Sequence, residues 1–156
     1  MEPRKVKIFS QSDSPRLRYV AGIILEDILG LAWEVVSDRR KLGKSPVINY
    51  SAENIPGSFV IAPDTLLFEA GISPREVVVE DFKGLPMFFR TPQESDFPFD
   101  VFAAAFYLVS RYEEYLDFKP DEYGRFSAHR SLAFKNGFLD MPVVDNWARE
   151  LSKALL

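Results

Sequence analysis

Nine consecutive residues, Val101-Phe102-Ala103-Ala104-Ala105-Phe106-Tyr107-Leu108-Val109, carry no charge and almost no polarity. Asp100, a good helix N-cap, stands immediately before them, with Phe99 ahead of the cap. A helix that is apolar all round has no face to give to water, so it must lie at the centre of the molecule. The rest of the chain must supply enough apolar surface to cover it. At 156 residues, 47% hydrophobic and 14% aromatic, the chain can build one domain with a real core, not two. Phenylalanine carries much of that surface: there are 14, and eleven lie after residue 80. The length excludes a β/α barrel, which needs about 250 residues, and the composition excludes a disordered segment. The helix is predicted to run from Val101 to about residue 116, changing character abruptly at Ser110-Arg111-Tyr112-Glu113-Glu114-Tyr115.

The N-terminal part supplies the other recognisable pattern. Lys5-Val6-Lys7-Ile8-Phe9 alternates as a strand does. Ser14 and Pro15 then make an N-cap and first helical position, and Leu17, Val20, Ala21, Ile24, Leu25 and Ile28 recur at helical spacing up to the stop at Gly30. Residues 31–37 resume as a strand, so 5–37 reads strand–helix–strand. Further short apolar runs follow at 47–50, 58–61, 66–68, 77–79 and 87–89, the last two separated by a Lys83-Gly84 turn. A hairpin-like segment at 134–139 turns at Asn136-Gly137, and a last helix opens at Pro142-Val143-Val144 with Asp145 as its cap. The expected fold class is α/β: a mixed sheet with flanking helices, around a central buried helix at about 101–116. The last helix carries Trp147, Leu151 and Leu155 on one stripe and has no stop signal. Residues 1–156 are therefore expected to be a single N-terminal domain, cut before or inside a linker to a further one.

Charge and composition exclude several functions. The net charge is -4; residues 1–45 hold nine Lys/Arg against six Asp/Glu, a mild asymmetry far from the basic footprint of a nucleic-acid binder. With no cysteine, there is no disulfide, thiol nucleophile or cysteine metal site. No signal peptide and no run of eighteen apolar residues is present, so no membrane span is expected and the location is read as cytoplasmic. The loop Ser10-Gln11-Ser12-Asp13-Ser14 feeds a helix start but has no glycine, so it matches neither the dinucleotide fingerprint nor the P-loop.

The richest chemistry lies at 110–130. Arg111, Glu113, Glu114, Asp121, Arg125 and Arg130 form a candidate cluster, either a structural ion-pair network or a ligand site. Glu113 and Glu114 near a helix C-terminus oppose the macrodipole and call for cations; Arg125, Arg130 and Arg111 are the partners in reach. The simplest reading is that they clamp the 117–131 loop onto the helix end, with Arg111 in a buried charged hydrogen bond. The spacing does not match a calcium loop. His129 is the only histidine, so a zinc site would need three carboxylates, and no serine stands in a nucleophile elbow. No catalytic residue, metal ligand or cofactor is assigned.

The stretch Phe99-Asp100 through Ala104-Ala105-Phe106-Tyr107 and Leu108-Val109-Ser110-Arg111-Tyr112-Glu113-Glu114-Tyr115 resembles a domain of unknown function. That domain precedes the catalytic domain in polysaccharide deacetylase-like proteins of Bacteroidetes-type bacteria. The likeness continues in Asp121 with Gly124-Arg125-Phe126, in Ser131-Leu132-Ala133, and in Leu139 with Pro142-Val143-Val144-Asp145 and Trp147. It is looser in Arg18-Tyr19, Leu29-Gly30, Asn49-Tyr50-Ser51 and Leu66-Leu67-Phe68-Glu69. The resemblance implies a metal-dependent deacetylase domain downstream, acting on N-acetylated sugars. The Thr-x-Asp-Asp and His-x-x-x-His patterns of such a domain are absent from this sequence. The expectation is a non-catalytic accessory domain that packs against, or helps shape, the substrate cleft of a downstream catalytic domain in the same chain. Its other partner would be carbohydrate, with no nucleic acid. The alternatives are an independent carboxylate-based or metal-dependent hydrolase and a carbohydrate-binding module.

Overall fold

A computed structural model describes residues 5–73, 77–92, 94–112 and 142–155. The opening unit is β1 (Lys5–Phe9), α1 (Pro15–Ala21) and β2 (Ala32–Val36), with a π-helical continuation at Gly22–Ile28 between α1 and β2. Ser14 caps α1 by accepting from the Leu17 amide, and Pro15 takes the first helical position, where its missing N–H costs nothing. Gly30, at φ 69°, supplies the left-handed residue that turns the chain into β2. Two more strands follow, β3 (Val47–Asn49) and β4 (Phe59–Val60). The four form a wholly parallel sheet in the order β2-β1-β3-β4.

A separate antiparallel hairpin, β5 (Glu80–Phe82) and β6 (Leu85–Met87), turns at Lys83-Gly84, both in the left-handed region (φ 52° and 82°). The α/β class therefore stands, with parallel and antiparallel pairing in two sheets and not one. The expected strand at 77–79 starts three residues before β5, and the one at 87–89 overlaps β6 only at Met87. The Lys83-Gly84 turn sets the register, with Phe82 opposite Leu85 and Glu80 opposite Met87, while the β-branched run at 77–79 has no ladder.

The central helix is α2 (Val101–Val109), with Val101 to Ala105 and Tyr107 buried. Asp100 caps it, accepting from the Ala103 amide. The helix ends earlier than predicted. Ser110 is the C-cap and Arg111 takes φ 57°, which breaks the helical run. Residues 113–116 of the predicted span lie outside the described residues, as does the predicted turn at 134–139. The last helix, α3 (Val143–Leu155), starts two residues before Asp145. Asp145 is therefore not the cap but a first-turn carboxylate, still on the favourable end of the macrodipole.

One face of the sheet packs Val6, Ile8 and Ile48 against Leu17, Val20, Ile24 and Leu25, and α2 and α3 complete this core. The phenylalanines fill it as a chain of rings: Phe82–Phe97–Phe99–Trp147–Phe88–Tyr107, with successive centroids 5.2–5.8 Å apart. Trp147 also donates from Nε1 to the Pro86 carbonyl at 2.8 Å, tying α3 to β6. Among the described residues the opposite face of the sheet holds a small cluster, Phe9, Val36 and Leu42 with Val47 and Ile55, and the charged group Lys5, Lys7 and Glu34. Among the described residues no helix is long and apolar enough to cross a membrane.

Candidate functional site

In a sheet of this order the chain leaves β1 toward β2 on one side and β3 on the other. Parallel sheets take ligands in the crevice beyond the carboxyl ends of their strands at such a reversal. Three loops arrive there: Ser10 to Ser14 after β1, Tyr50 to Glu53 after β3, and Ile61 to Asp64 after β4. The first two fold back on themselves. Ser10 Oγ donates to the Ser12 carbonyl at 2.7 Å, Asn49 Nδ2 to the Glu53 carbonyl at 2.7 Å, and Ser51 Oγ to Asn49 Oδ1 at 2.5 Å.

The third loop leads into a 3-10 turn at Thr65–Phe68, which is drawn across the start of α1. Ser14 Oγ donates to the Leu67 carbonyl. Arg16 donates to the carbonyls of Leu66 at 2.9 Å and Gly71 at 2.5 Å, while its guanidinium lies 5.3 Å from the Phe106 ring and 5.9 Å from Tyr112. Between residues 12–16 and 67–71 a cleft of about 430 Å³ remains. Asp13, Arg16, Phe68 and Glu69 line it. Asp13 is held by Arg18 at 2.5 Å, and Glu69 accepts from Thr65 Oγ1 at 2.6 Å and Ser73 Oγ at 3.3 Å.

The one fully buried carboxylate among the described residues is Asp100. It accepts from Tyr50 OH at 2.5 Å, the Asp64 amide at 2.7 Å and the Ala103 amide at 3.0 Å. The three donors come from the end of β3, the loop after β4 and the first turn of α2, so this side chain joins three elements. Burial pushes Asp100 up to about 7, against the donors, which hold it down. Burial likewise pushes the Tyr50 phenol well above its ordinary value, and the neighbouring Asp100 charge adds to that.

Residues 6–156 match the model of a family of unknown function, DUF7033. The chain belongs to that family. No curated protein and no solved structure matches it. The DUF7033 match spans all of the sheet but Lys5, together with the cleft and Asp100 with its donors.

The cluster expected from the DUF7033 sequence is placed only at its first member. Arg111 is exposed, in a left-handed turn just past α2. Glu113, Glu114, Asp121, Arg125 and Arg130 lie outside the described residues, as does His129. Among the described residues no group of three or more His, Asp or Glu is placed to hold a metal. The residues that sequence reasoning undervalued are Tyr50, Asp64 and Arg16. Asp100 was legible as a cap, but its second and third partners are 50 and 36 residues away in the chain, and no local spacing reports them.

Proposed function

We infer that this chain is a non-catalytic accessory domain of a polysaccharide deacetylase-like protein, packing against the catalytic domain or helping to shape its substrate cleft. The observation that carries this reading is the use made of Asp100. The one fully buried acid among the described residues spends its acceptors on three internal donors. Such a group holds elements together and cannot meet a substrate. The cleft lined by residues 12–16 and 67–71 supports the same reading. Ser14 Oγ is taken up by the Leu17 amide and the Leu67 carbonyl, and Asp13 and Glu69 are each held by neighbours. None of these is a nucleophile beside a base. The residues that resemble the deacetylase-associated domain, 99–115 above all, include the whole of α2 and its cap.

The test is acetate release from N-acetylated oligosaccharides by the parent protein with and without residues 1–156. Loss of activity on deletion, with no release by residues 1–156 alone, is the expected result. Release by residues 1–156 alone, or a parent protein indifferent to the deletion, would overturn it.

A further inference from the structure

The two edges of the parallel sheet are finished differently. On β4 the outward backbone groups are taken up. Val60 N donates to Asp96 Oδ2 at 2.7 Å, and its carbonyl accepts from the Asp96 amide at 2.7 Å and from Ser95 Oγ at 3.0 Å. The Ala62 amide donates to Ser95 Oγ at 3.1 Å. On β2 the Ser10 amide donates to the Val36 carbonyl, so Val36 faces β1. Alternate residues of a parallel strand turn both backbone groups to the same side. Ala32 and Glu34 therefore also face β1, and Trp33 and Val35 turn their N–H and C=O outward. Among the described residues nothing pairs with those four groups.

We propose that β2 pairs antiparallel with β2 of a second copy of this chain, about a two-fold axis through Glu34, joining two four-stranded sheets into one of eight. The register is self-complementary. Centred on Glu34, Trp33 stands opposite the partner's Val35, and Val35 opposite the partner's Trp33. Every outward N–H then meets an outward C=O, giving four hydrogen bonds. The same pairing sets an aromatic ring against a β-branched side chain twice, on the face that carries α1. On the other face Ala32 meets the partner's Val36, and Glu34 meets the partner's Glu34.

Facing carboxylates ordinarily repel. Here each lies between Lys5 Nζ at 3.1 Å and Lys7 Nζ at 3.8 Å, so four ammonium groups surround two carboxylates. The edge also lacks the usual protections: β2 has no proline and no bulge, and its one charge is already neutralised. A pair of five-residue strands buries well under the ~1,200 Å² of a stable complex, so the association is weak and concentration-dependent.

Sedimentation equilibrium of the chain from micromolar to millimolar concentration tests this, together with amide hydrogen exchange at single residues. Mass should double across the range, and exchange at Trp33 and Val35 should slow in step, while Glu34 and Val36, already bonded to β1, stay unchanged. Val35→Pro removes an outward N–H without touching the β1 ladder and should weaken association at least about tenfold. Ala32→Lys, at an exposed position, should do the same with an unaltered melting temperature and guards against misfolding of the proline variant. A chain that stays monomeric to millimolar concentration overturns the proposal. So does a dimer that leaves the Trp33 and Val35 amides freely exchanging, or protection of those amides already in the monomer.

Discussion

On the β3–β4 flank of the sheet a carboxylate, Asp100, sits with no exposure among three donors. On the β2 flank another, Glu34, sits partly in water between two lysines. The first flank is closed: its edge strand is bonded by Ser95 and Asp96, and its loops are drawn together by Asp100 and Arg16. Among the described residues the second ends in an unpaired strand edge. The difference follows from where α2 lies. A helix with no polar face needs cover on every side, so the chain devotes its long-range hydrogen bonds to the flank that α2 occupies. The far flank bears no such demand and keeps its polar groups in solvent.

The sharpest way to break this contrast is Asp100→Ala. It removes the cap of α2 and leaves the Tyr50 hydroxyl and two amides buried without an acceptor. A loss of roughly 3–5 kcal/mol in urea unfolding is expected. A loss under about 1 kcal/mol would mean that Asp100 is not what closes this flank.

The pH dependence of stability comes next. Folded Asp100 keeps its proton up to about 7, against an ordinary value of 3.8. Between these values the folded chain binds the proton more tightly than the unfolded chain. The stabilisation from protonated Asp100 is therefore complete below about pH 4 and is lost as pH rises through 7. Between pH 5 and pH 8 the native chain should lose roughly 2–3 kcal/mol relative to Asp100→Asn. Parallel pH profiles for the two proteins would show that Asp100 does not titrate in this window.

Smaller effects sharpen the comparison of the two edges. Asp96→Ala frees the Val60 amide of β4 and should cost about 1 kcal/mol. Glu34→Gln on the open edge should stay within about 0.5 kcal/mol, because its lysine pairs are solvent-exposed. Equal costs in thermal unfolding would erase the distinction between a closed and an open edge.

Much of the architecture was legible from short-range pattern. The Ser14-Pro15 start, the Gly30 stop, the Asp100 cap and the buried 101–109 helix all depend on contacts within one or two turns. They appear in the structure at those residues. The end of α2 was not legible, because Ser110, Arg111 and Tyr112 are all adequate helix formers. Tertiary contacts end it: the Tyr112 hydroxyl exchanges hydrogen bonds with the Ser73 backbone at 2.8 and 3.1 Å, and its ring stacks under Arg16. The candidate site was less legible still. Arg16 reads as an ordinary polar residue on α1, and only its carbonyl partners at Leu66 and Gly71 make it a clamp.

The sequence by itself determined that a capped, wholly apolar helix must be enclosed by an aromatic core, because no arrangement in water tolerates it exposed. It also determined the strand–helix–strand opening, through periodicity and capping. Only the tertiary structure decided that one carboxylate would join three elements and that the sheet would close on one edge and stay open on the other. Those outcomes depend on carboxylates meeting a phenol and backbone amides 36 to 50 residues away within hydrogen-bonding distance. Side-chain type alone does not encode such a meeting; the order of the strands does.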